Sequence, residues 1–184
     1  MSSPTINPVR GLAKHLLPLP RGSYEDALGW VGREREVQFA EVSVNWPMVK
    51  VFAAMVEDGN SSYWDEEFAR QVWGDVVAPP AMLHVWLMAL QWRPDGAGSS
   101  YPLCAMVPLP GDTLINTWTR TVFHAPMRVG DHLNMVERVE SISPEKSTRL
   151  GRGHFVTTLA RYRDQRGALV GEHTNTLLRF ESGR

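Results

Sequence analysis

Apolar and polar residues follow two different periods near the start of the chain. Ser23 is a residue type that caps helices, and the pattern after it predicts a short helix over 23–31. Residues 36–44 alternate apolar and polar side chains one by one, which is typical of a half-buried strand. The pattern therefore predicts a helix followed by a strand.

Three helical segments are predicted in the middle of the chain. Asn45 and Pro47 suit the cap and the first turn of a helix over 46–56. A shorter helical signal covers 65–71. Residues 82–92 are apolar on nearly every side, so the pattern predicts a buried helix there. The expected apolar face of the helix over 46–56 consists of Met48, Val51, Phe52 and Met55.

The last third of the chain carries the period of strands. A long loop over 93–112, rich in Gly, Ser and Pro, comes first, and loops of this length are often functional. Because short turns separate the strand-like segments, they are expected to pair as an antiparallel meander. The four predicted strands cover 114–123, 132–141, 154–163 and 168–180.

The composition is typical of a soluble globular domain and gives no support for nucleic acid or an anionic membrane as a partner. The chain has 184 residues, of which 43% are hydrophobic and 21% charged, as in an ordinary soluble domain. We expect a single domain over 23–184, preceded by an extended, proline-containing arm over 1–22. The net charge of -1 favours neither nucleic acid nor an anionic membrane as a partner.

Cysteine and histidine usage argues against disulfide and metal chemistry. Cys104 is the single cysteine, so no internal disulfide can form, and a reducing cytoplasm is expected. The histidines show no metal-ligand spacing, and no dinucleotide or phosphate-binding glycine pattern occurs. No apolar stretch approaches a membrane span, and the first residues lack a signal-peptide layout.

One segment carries most of the functional information. Residues 57–65 read Glu-Asp-Gly-Asn-Ser-Ser-Tyr-Trp-Asp and lie between two predicted helices. An apolar run over 76–83, broken by two prolines, follows them. This order resembles the MaoC-like hydratases of the hotdog superfamily, especially their degenerate dehydratase-type N-terminal domains. Residues 123–131, between two strands, add to the resemblance, which extends over about residues 23–181.

The resemblance places the family's catalytic motif on this segment. In catalytic members the motif reads G-D-x-N-P-[LIV]-H, and its Asp and His are the acid–base pair. Asp58 and Asn60 match the Asp and Asn of the motif, whereas Ser61 replaces Pro and Tyr63 replaces His. A tyrosine has a reference pKa of about 10 and is a poor base near neutral pH. Asp58 could equally be an ordinary turn carboxylate.

A second departure concerns the oxyanion hole. In the family, N–H groups at the start of the central helix stabilise the enolate oxygen. Pro79 and Pro80 lie near that start in this sequence, and proline has no N–H to donate. The two departures together predict a site that is not competent on its own.

The fold and the role implied by the resemblance are specific. We expect an α+β hotdog fold in which an antiparallel sheet wraps around a central apolar helix. Degenerate hotdogs commonly pair with a catalytic hotdog that supplies the Asp/His pair. The chain is therefore expected to be the non-catalytic, substrate-binding subunit of an enoyl-CoA hydratase for a long or bulky acyl group, as in steroid side-chain breakdown.

Further residues are candidates for contact with the acyl-CoA. Bulky side chains in the middle of the chain could touch the acyl group, although a core role is the simpler interpretation of His84 and of most tryptophans. A basic loop over 143–153 could meet the phosphates of coenzyme A or be a solvated hairpin. No cofactor is expected beyond coenzyme A as part of the substrate. The acyl candidates are Trp64, Trp73, Trp86 and His84, and the coenzyme A candidates are Lys146, Arg149 and Arg152.

Three other functions stay open from the residues. The chain could be a self-sufficient homodimeric (R)-type hydratase that uses Asp58 with His84 or Tyr63 as the acid. It could also be an acyl-thioester-binding or scaffold module without a catalytic partner. A thioesterase is a third possibility, because a fold does not fix a function.

Overall fold

Four helices form where caps and apolar spacing favour them. The computed structural model describes residues 19–90 and 101–182. The helices are α1 (Tyr24–Leu28), α2 (Trp46–Met55), α3 (Glu66–Trp73) and α4 (Leu103–Met106). Ser23, Asn45 and Asp65 cap the first three through their side chains, as these residue types do in many proteins. The first three predicted helices are thus confirmed, and α4 lies inside the segment that was predicted to be a loop.

Six strands form one antiparallel sheet in the order β1-β3-β5-β6-β2, with β4 paired to β5. All pairs are antiparallel, and the four strands predicted in the last third are confirmed within a few residues. The strands are β1 (Gln38–Phe39), β2 (Thr113–Phe123), β3 (Asn134–Ile142), β4 (Lys146–Thr148), β5 (Gly151–Arg163) and β6 (Leu169–Phe180).

The predicted meander is wrong for one strand. Strands β3, β5 and β6 follow each other as expected, but β2 pairs with β6 at the far edge instead of with β3. Short turns identify neighbours only where two strands follow directly, and the segment over 124–133 between β2 and β3 is long enough to change position in the sheet.

The strand predicted over 36–44 is much shorter than its alternation suggests. Continuous pairing with β3 is limited to Gln38 and Phe39. On either side, single N–H groups of Arg35 and Ala40 still bond to carbonyls of Glu137 and Leu133. The segment therefore runs beside β3 as an irregular edge, a position where ladders are often broken.

The buried face of α2 differs from the predicted one. Val49 and Ala53 are fully buried, four residues apart on one side of the helix. Val51 and Met55, both predicted to face the core, are 60% and 77% exposed. Met48 and Phe52 of the predicted face do pack against the core, so the pattern identified the buried side in part.

The helix predicted over 82–92 is wrong within the described residues. The chain forms two short 3₁₀ turns, Pro80–Met82 and Val85–Leu87, and continues in extended conformation at Met88; residues 91 and 92 lie outside the described part. Leu83 lies so close to β6 that a Cβ on Gly171 would be 2.7 Å from its Cδ2 atom. An apolar run without a polar side predicts burial but does not distinguish a helix from an irregular buried segment.

The core has two parts that lie on one face of the sheet. The first joins α2 and residues 77–86 to β3 and β5. We call residues 77–86 the crossing segment. The second joins α1 and α4 to the other end of the sheet, through Val139, Val156 and Leu177. The predicted central helix is thus replaced by an irregular segment that packs in the first part of the core.

Arg179 ties the start of the described chain to the end of β6. Its side chain is almost fully buried and donates to the carbonyl oxygens of Leu19, Pro20 and Gly111. Most of the predicted arm over 1–22 lies outside the described residues, and the prediction for it stays untested. In the described ranges, no helix has the length and apolar character of a membrane span.

Candidate functional site

The segment that carries the family motif folds as a tight polar turn after α2. The carboxylate of Asp58 accepts the backbone N–H of Asn60 at 3.0 Å, and the side chain of Asn60 accepts the N–H of Ser62 at 3.0 Å. Asp58 is half-buried, whereas Asn60 is exposed. These bonds are the local turn contacts that Asp and Asn make in many loops. Both side chains thus stabilise the turn itself.

Tyr63, which the motif resemblance aligns with the family histidine, is buried. Burial raises the pKa of its phenol, and the nearby carboxylate of Asp58 raises this pKa further. A phenol with a raised pKa is protonated at neutral pH, so it cannot accept a proton as the imidazole would. It could act only as a hydrogen-bond donor.

A first cavity of about 310 Å³ lies beside Tyr63. The crossing segment forms one wall through Val77, Ala78 and Pro80. The end of β2 and the residues after it form another wall, over 123–127. The cavity is mainly apolar, and Asp58 is not among its lining residues.

The three tryptophans proposed as acyl contacts occupy different environments. Trp73 lines the first cavity and donates to the Ser62 hydroxyl at 3.0 Å. Trp64 is 43% exposed and donates to the carbonyl of Asp58 at 2.7 Å. Trp86 is only 1% exposed, packs in the core and lines neither cavity described here. Of the three, only Trp73 lines a described cavity, and the substrate contacts of all three stay predictions.

His84 belongs to a half-buried polar cluster that sequence reasoning did not find. Its Nδ1 lies 2.8 Å from the hydroxyl of Tyr162, and its ring lies 4.1 Å from the ring of His173. The Nδ1 atom of His173 lies 2.9 Å from the hydroxyl of Thr121. These residues come from the crossing segment and from three strands. Only the alternation of β5 and β6 could have indicated that Tyr162 and His173 share the buried face.

Both imidazoles of the cluster are held neutral. Burial, followed by the neighbouring His84, lowers the pKa of His173 to about 4. Burial also lowers the pKa of His84. Burial, followed by the carboxylate of Glu137, raises the pKa of the Tyr162 phenol. The cluster is therefore a set of neutral hydrogen-bonding groups at physiological pH.

A second cavity of about 300 Å³ opens beside this cluster. Its floor is the buried face of β3, β5 and β6, including Glu137, Thr158, Tyr162, His173 and Asn175. Residues 87–89, directly after the crossing segment, and residues 101–102 complete its walls. It shares no lining residue with the first cavity.

The basic segment proposed for coenzyme A forms a hairpin rather than an open loop. Lys146 lies in β4, and Arg152 lies in β5 opposite Ser147 and pairs with Glu145. Arg149 is an exposed residue of the connecting turn. All three side chains are exposed, as a solvated hairpin requires, and a role in coenzyme A binding stays a prediction.

Cys104 has the features of a structural thiol. Its side chain is buried, and burial raises its pKa to about 12, with a smaller contribution from Glu137. Such a thiol is not ionised at neutral pH and is inert. In the part of the chain that the structure describes, no group of His, Cys, Asp and Glu is arranged to hold a metal ion.

Solved structures define the class of this protein. The fold is similar to the crystal structure of the ChsH1-ChsH2 complex from Mycobacterium tuberculosis, with a TM-score of 0.72 at 22% identity, covering 87% of this chain and 92% of that chain. It is also similar to the MaoC-like dehydratase from Rhodospirillum rubrum, with a TM-score of 0.58 at 24% identity, covering 84% and 94%. The chain is a MaoC-like hotdog domain with mixed helices and an antiparallel sheet.

The family follows from the sequence match. A family model described as "FAS1-like, dehydratase domain region" matches residues 29–173, and the chain belongs to this family. The hotdog fold expected from the resemblance is therefore confirmed, although its central helix is not formed in the described residues.

Two curated relatives are alpha subunits of hydratases. The "Probable enoyl-CoA hydratase alpha subunit" of Thermomonospora curvata is 42% identical over 165 residues, covering 85% of this chain and 52% of that protein. The "3-oxo-4,17-pregnadiene-20-carboxyl-CoA hydratase alpha subunit" of Mycobacterium tuberculosis is 27% identical over 128 residues, covering 65% and 39%. The chain thus spans about half the length, or less, of the curated relatives it matches.

Proposed function

We propose that this chain is the non-catalytic, substrate-binding half of a heteromeric enoyl-CoA hydratase. The observation that carries the proposal is the buried, protonated phenol of Tyr63 at the position where catalytic members have a histidine. Hydration requires a base that takes a proton from water and an acid that protonates the alpha carbon of the thioester. The burial of Tyr63 disfavours its ionised form, so it is a poor base. The carboxylate of Asp58 accepts a hydrogen bond within its own turn.

The start of the crossing segment supports the same proposal. The oxyanion hole of the family requires N–H groups at the start of a helix. Here the N–H of Met82 bonds to the carbonyl of Pro79, and the N–H of Leu83 bonds to that of Pro80. The two prolines have no N–H, and they lead into short 3₁₀ turns instead of an α-helix whose dipole could contribute. Stabilisation of an enolate here would need donors from another chain.

The relatives support the heteromeric part of the proposal. Both curated relatives are named as alpha subunits, and a similar solved structure is a complex of two different chains. The catalytic Asp/His pair would then come from a hotdog partner subunit. The two cavities next to the crossing segment suit a bulky acyl group, and the name of one relative indicates a polycyclic one.

The test is hydration of enoyl-CoAs by this chain alone and with a co-expressed hotdog subunit that carries both Asp and His. We expect turnover of crotonyl-CoA or of a polycyclic enoyl-CoA only with the partner. Asp58→Ala in this chain should leave the rate of the mixture within about twofold. The matched substitution of the partner's motif Asp should lower kcat by several orders of magnitude, because it removes an acid–base group.

Activity of the chain alone would contradict the proposal. If Asp58→Ala then abolished that activity, the chain would be the self-sufficient hydratase. No hydration in either preparation, together with thioester hydrolysis by this chain, would indicate a thioesterase instead.

A further inference from the structure

Tyr63 is a buried side chain whose hydroxyl has no partner in the described residues. The residue is 8% exposed, and its hydroxyl makes no hydrogen bond to a described residue. Burial raises the pKa of the phenol, so the hydroxyl keeps its proton at neutral pH. A buried tyrosine usually pairs this group, because an unpaired donor away from water costs free energy. The hydroxyl of Tyr63 is therefore a donor that a ligand could satisfy.

The hydroxyl of Tyr63 retains surface that a ligand can reach. In the described residues, the buried side-chain atoms that lack both a hydrogen-bond partner and accessible surface are Trp86 Nε1, Arg138 Nε, Asn175 Oδ1 and Arg179 Nη1. The unpaired hydroxyl of Tyr63 is not among them, so it is accessible. Because Tyr63 lines the first cavity, a ligand atom would meet the hydroxyl there.

The rest of the first cavity suits hydrocarbon. Most of its lining residues are apolar. Among the polar ones, Trp73 already donates its indole N–H to the hydroxyl of Ser62. His124 is exposed, and its Nε2 atom lies 3.1 Å from the carboxylate of Glu172. The hydroxyl of Tyr63 is thus an unpaired, buried polar group in a mainly apolar wall, which is the usual composition of a small-molecule site.

The acceptor that fits Tyr63 is a neutral one. The carboxylate of Asp58 is close enough to raise the pKa of the phenol further, so it would also repel an anionic acceptor. An anion would in addition lose its hydration in the apolar cavity. A carbonyl oxygen accepts a hydrogen bond without a charge and has no proton that needs a second partner.

We propose that the first cavity binds a hydrocarbon part of the acyl group that carries a ketone, and that Tyr63 donates a hydrogen bond to the ketone oxygen. The hydrocarbon packs on Val77, Ala78 and Met127. The assignment of this ligand as the acyl group rests on the proposed function, which places the thioester at the partner's Asp/His pair, so the carbonyl at Tyr63 is a second one. The selectivity for a ketone rests on Tyr63 and the cavity alone.

Binding of two probes of the same shape tests the proposal. 2-Decalone carries a ketone, and 2-methylenedecalin replaces its oxygen by a CH₂ group that accepts no hydrogen bond. The full chain is labelled with 5-fluorotryptophan, and the fluorine signal of Trp73, which lines the first cavity, reports occupancy by NMR. We expect both probes to shift this signal at pH 7.5. No shift with 2-decalone would overturn the proposal.

A substitution and its matched control locate the effect. Tyr63→Phe removes only the hydroxyl, so it should weaken 2-decalone about fivefold to tenfold, as the loss of one hydrogen bond implies, and change 2-methylenedecalin by less than about twofold. Tyr24→Phe makes the same change where the hydroxyl bonds to the carbonyl of Ile142, outside both cavities, and should leave both affinities unchanged. Equal effects of Tyr63→Phe on the two probes would overturn the role of Tyr63.

A measurement on the unchanged protein covers the case in which Tyr63→Phe does not fold. The carbonyl signal of ¹³C-labelled 2-decalone should lie downfield of its position in cyclohexane when the ketone is bound, because a phenol donates to it. A bound signal at the cyclohexane position would overturn the proposal. None of these measurements depends on turnover or on a partner subunit. A failure of the hydration assay would therefore leave the ketone selectivity intact, and a loss of selectivity would leave the hydratase proposal to its own test.

Discussion

The neutral histidine pair shows how single residues on the buried face affect stability. His173 faces His84 and Thr121, with the carboxylate of Glu137 on the same face two strands away. The pKa of His173 is about 4, below the value of about 6.5 for an exposed histidine. Between pH 4 and pH 6.5, the unfolded chain therefore binds a proton at this ring that the folded chain does not bind.

The free energy of unfolding should consequently fall as the pH is lowered from about 6.5 toward 4. His173→Gln removes one of the two titrating rings, so its free energy of unfolding should fall less over this window. Urea unfolding at pH 7.5 and pH 5 measures the difference. His132→Gln changes a histidine outside the cluster, near Ser43, and should keep the original dependence. Identical slopes for the protein and His173→Gln would contradict this account.

Helices and strands differ in how far the sequence predicted them. Ser23, Asn45 and Asp65 identified three helix starts, because a capping side chain acts only on the N–H groups next to it in the chain. The long strands were equally clear from alternation. The crossing segment and the edge position of β2 were not predicted, because both depend on packing between distant parts of the chain.

The same distinction applies to the candidate site. The motif segment consists of the contiguous residues 57–65, so Tyr63 in place of the family's histidine can be read directly from the sequence. The cluster of His84, Tyr162 and His173 could not be predicted, because its members are brought together by the register of β5 and β6. The role of the motif segment stays a prediction, and the second cavity follows from the sheet.

Gly74 provides a test of one helix end. It adopts a left-handed conformation with φ of 75° directly after α3, and no atom lies within 4 Å of the position of an added Cβ. Gly74→Ala should therefore lower the free energy of unfolding by about 1 kcal/mol through backbone strain alone. Gly59 is equally open but does not have a positive φ, so Gly59→Ala should be neutral or slightly stabilising. Chemical denaturation distinguishes the two, and equal effects would contradict the assignment.

On the scale of the whole molecule, β2 is the edge of the sheet where another chain could pair. It is 11 residues long, and its central residues over 116–120 are exposed. Long exposed edges are usually covered in natural proteins. Under the proposed function, the partner subunit would extend the sheet along this strand.

Trp118→Lys tests this arrangement. Trp118 is 50% exposed on β2, and a charge there should prevent burial of the edge. We expect the mixed complex to dissociate in size-exclusion chromatography with light scattering, while the melting temperature of the isolated chain changes little. Leu150→Lys introduces the same charge at a similarly exposed residue of the β4–β5 turn and should leave the complex intact. A stable complex with Trp118→Lys would place the interface elsewhere.

The contacts of Arg179 also make this domain suitable for circular permutation. Because the guanidinium holds the carbonyls of Leu19 and Pro20 beside the last strand, the two ends of the domain are already neighbours in space. A short linker could join residues near 19 and 182, and new ends could be opened in the exposed turn over 165–167. The resulting circularly permuted chain should keep the same architecture. Such a permutant would present its ends at the opposite end of β6, which opens a new place for attaching a fluorescent or affinity label without touching either cavity.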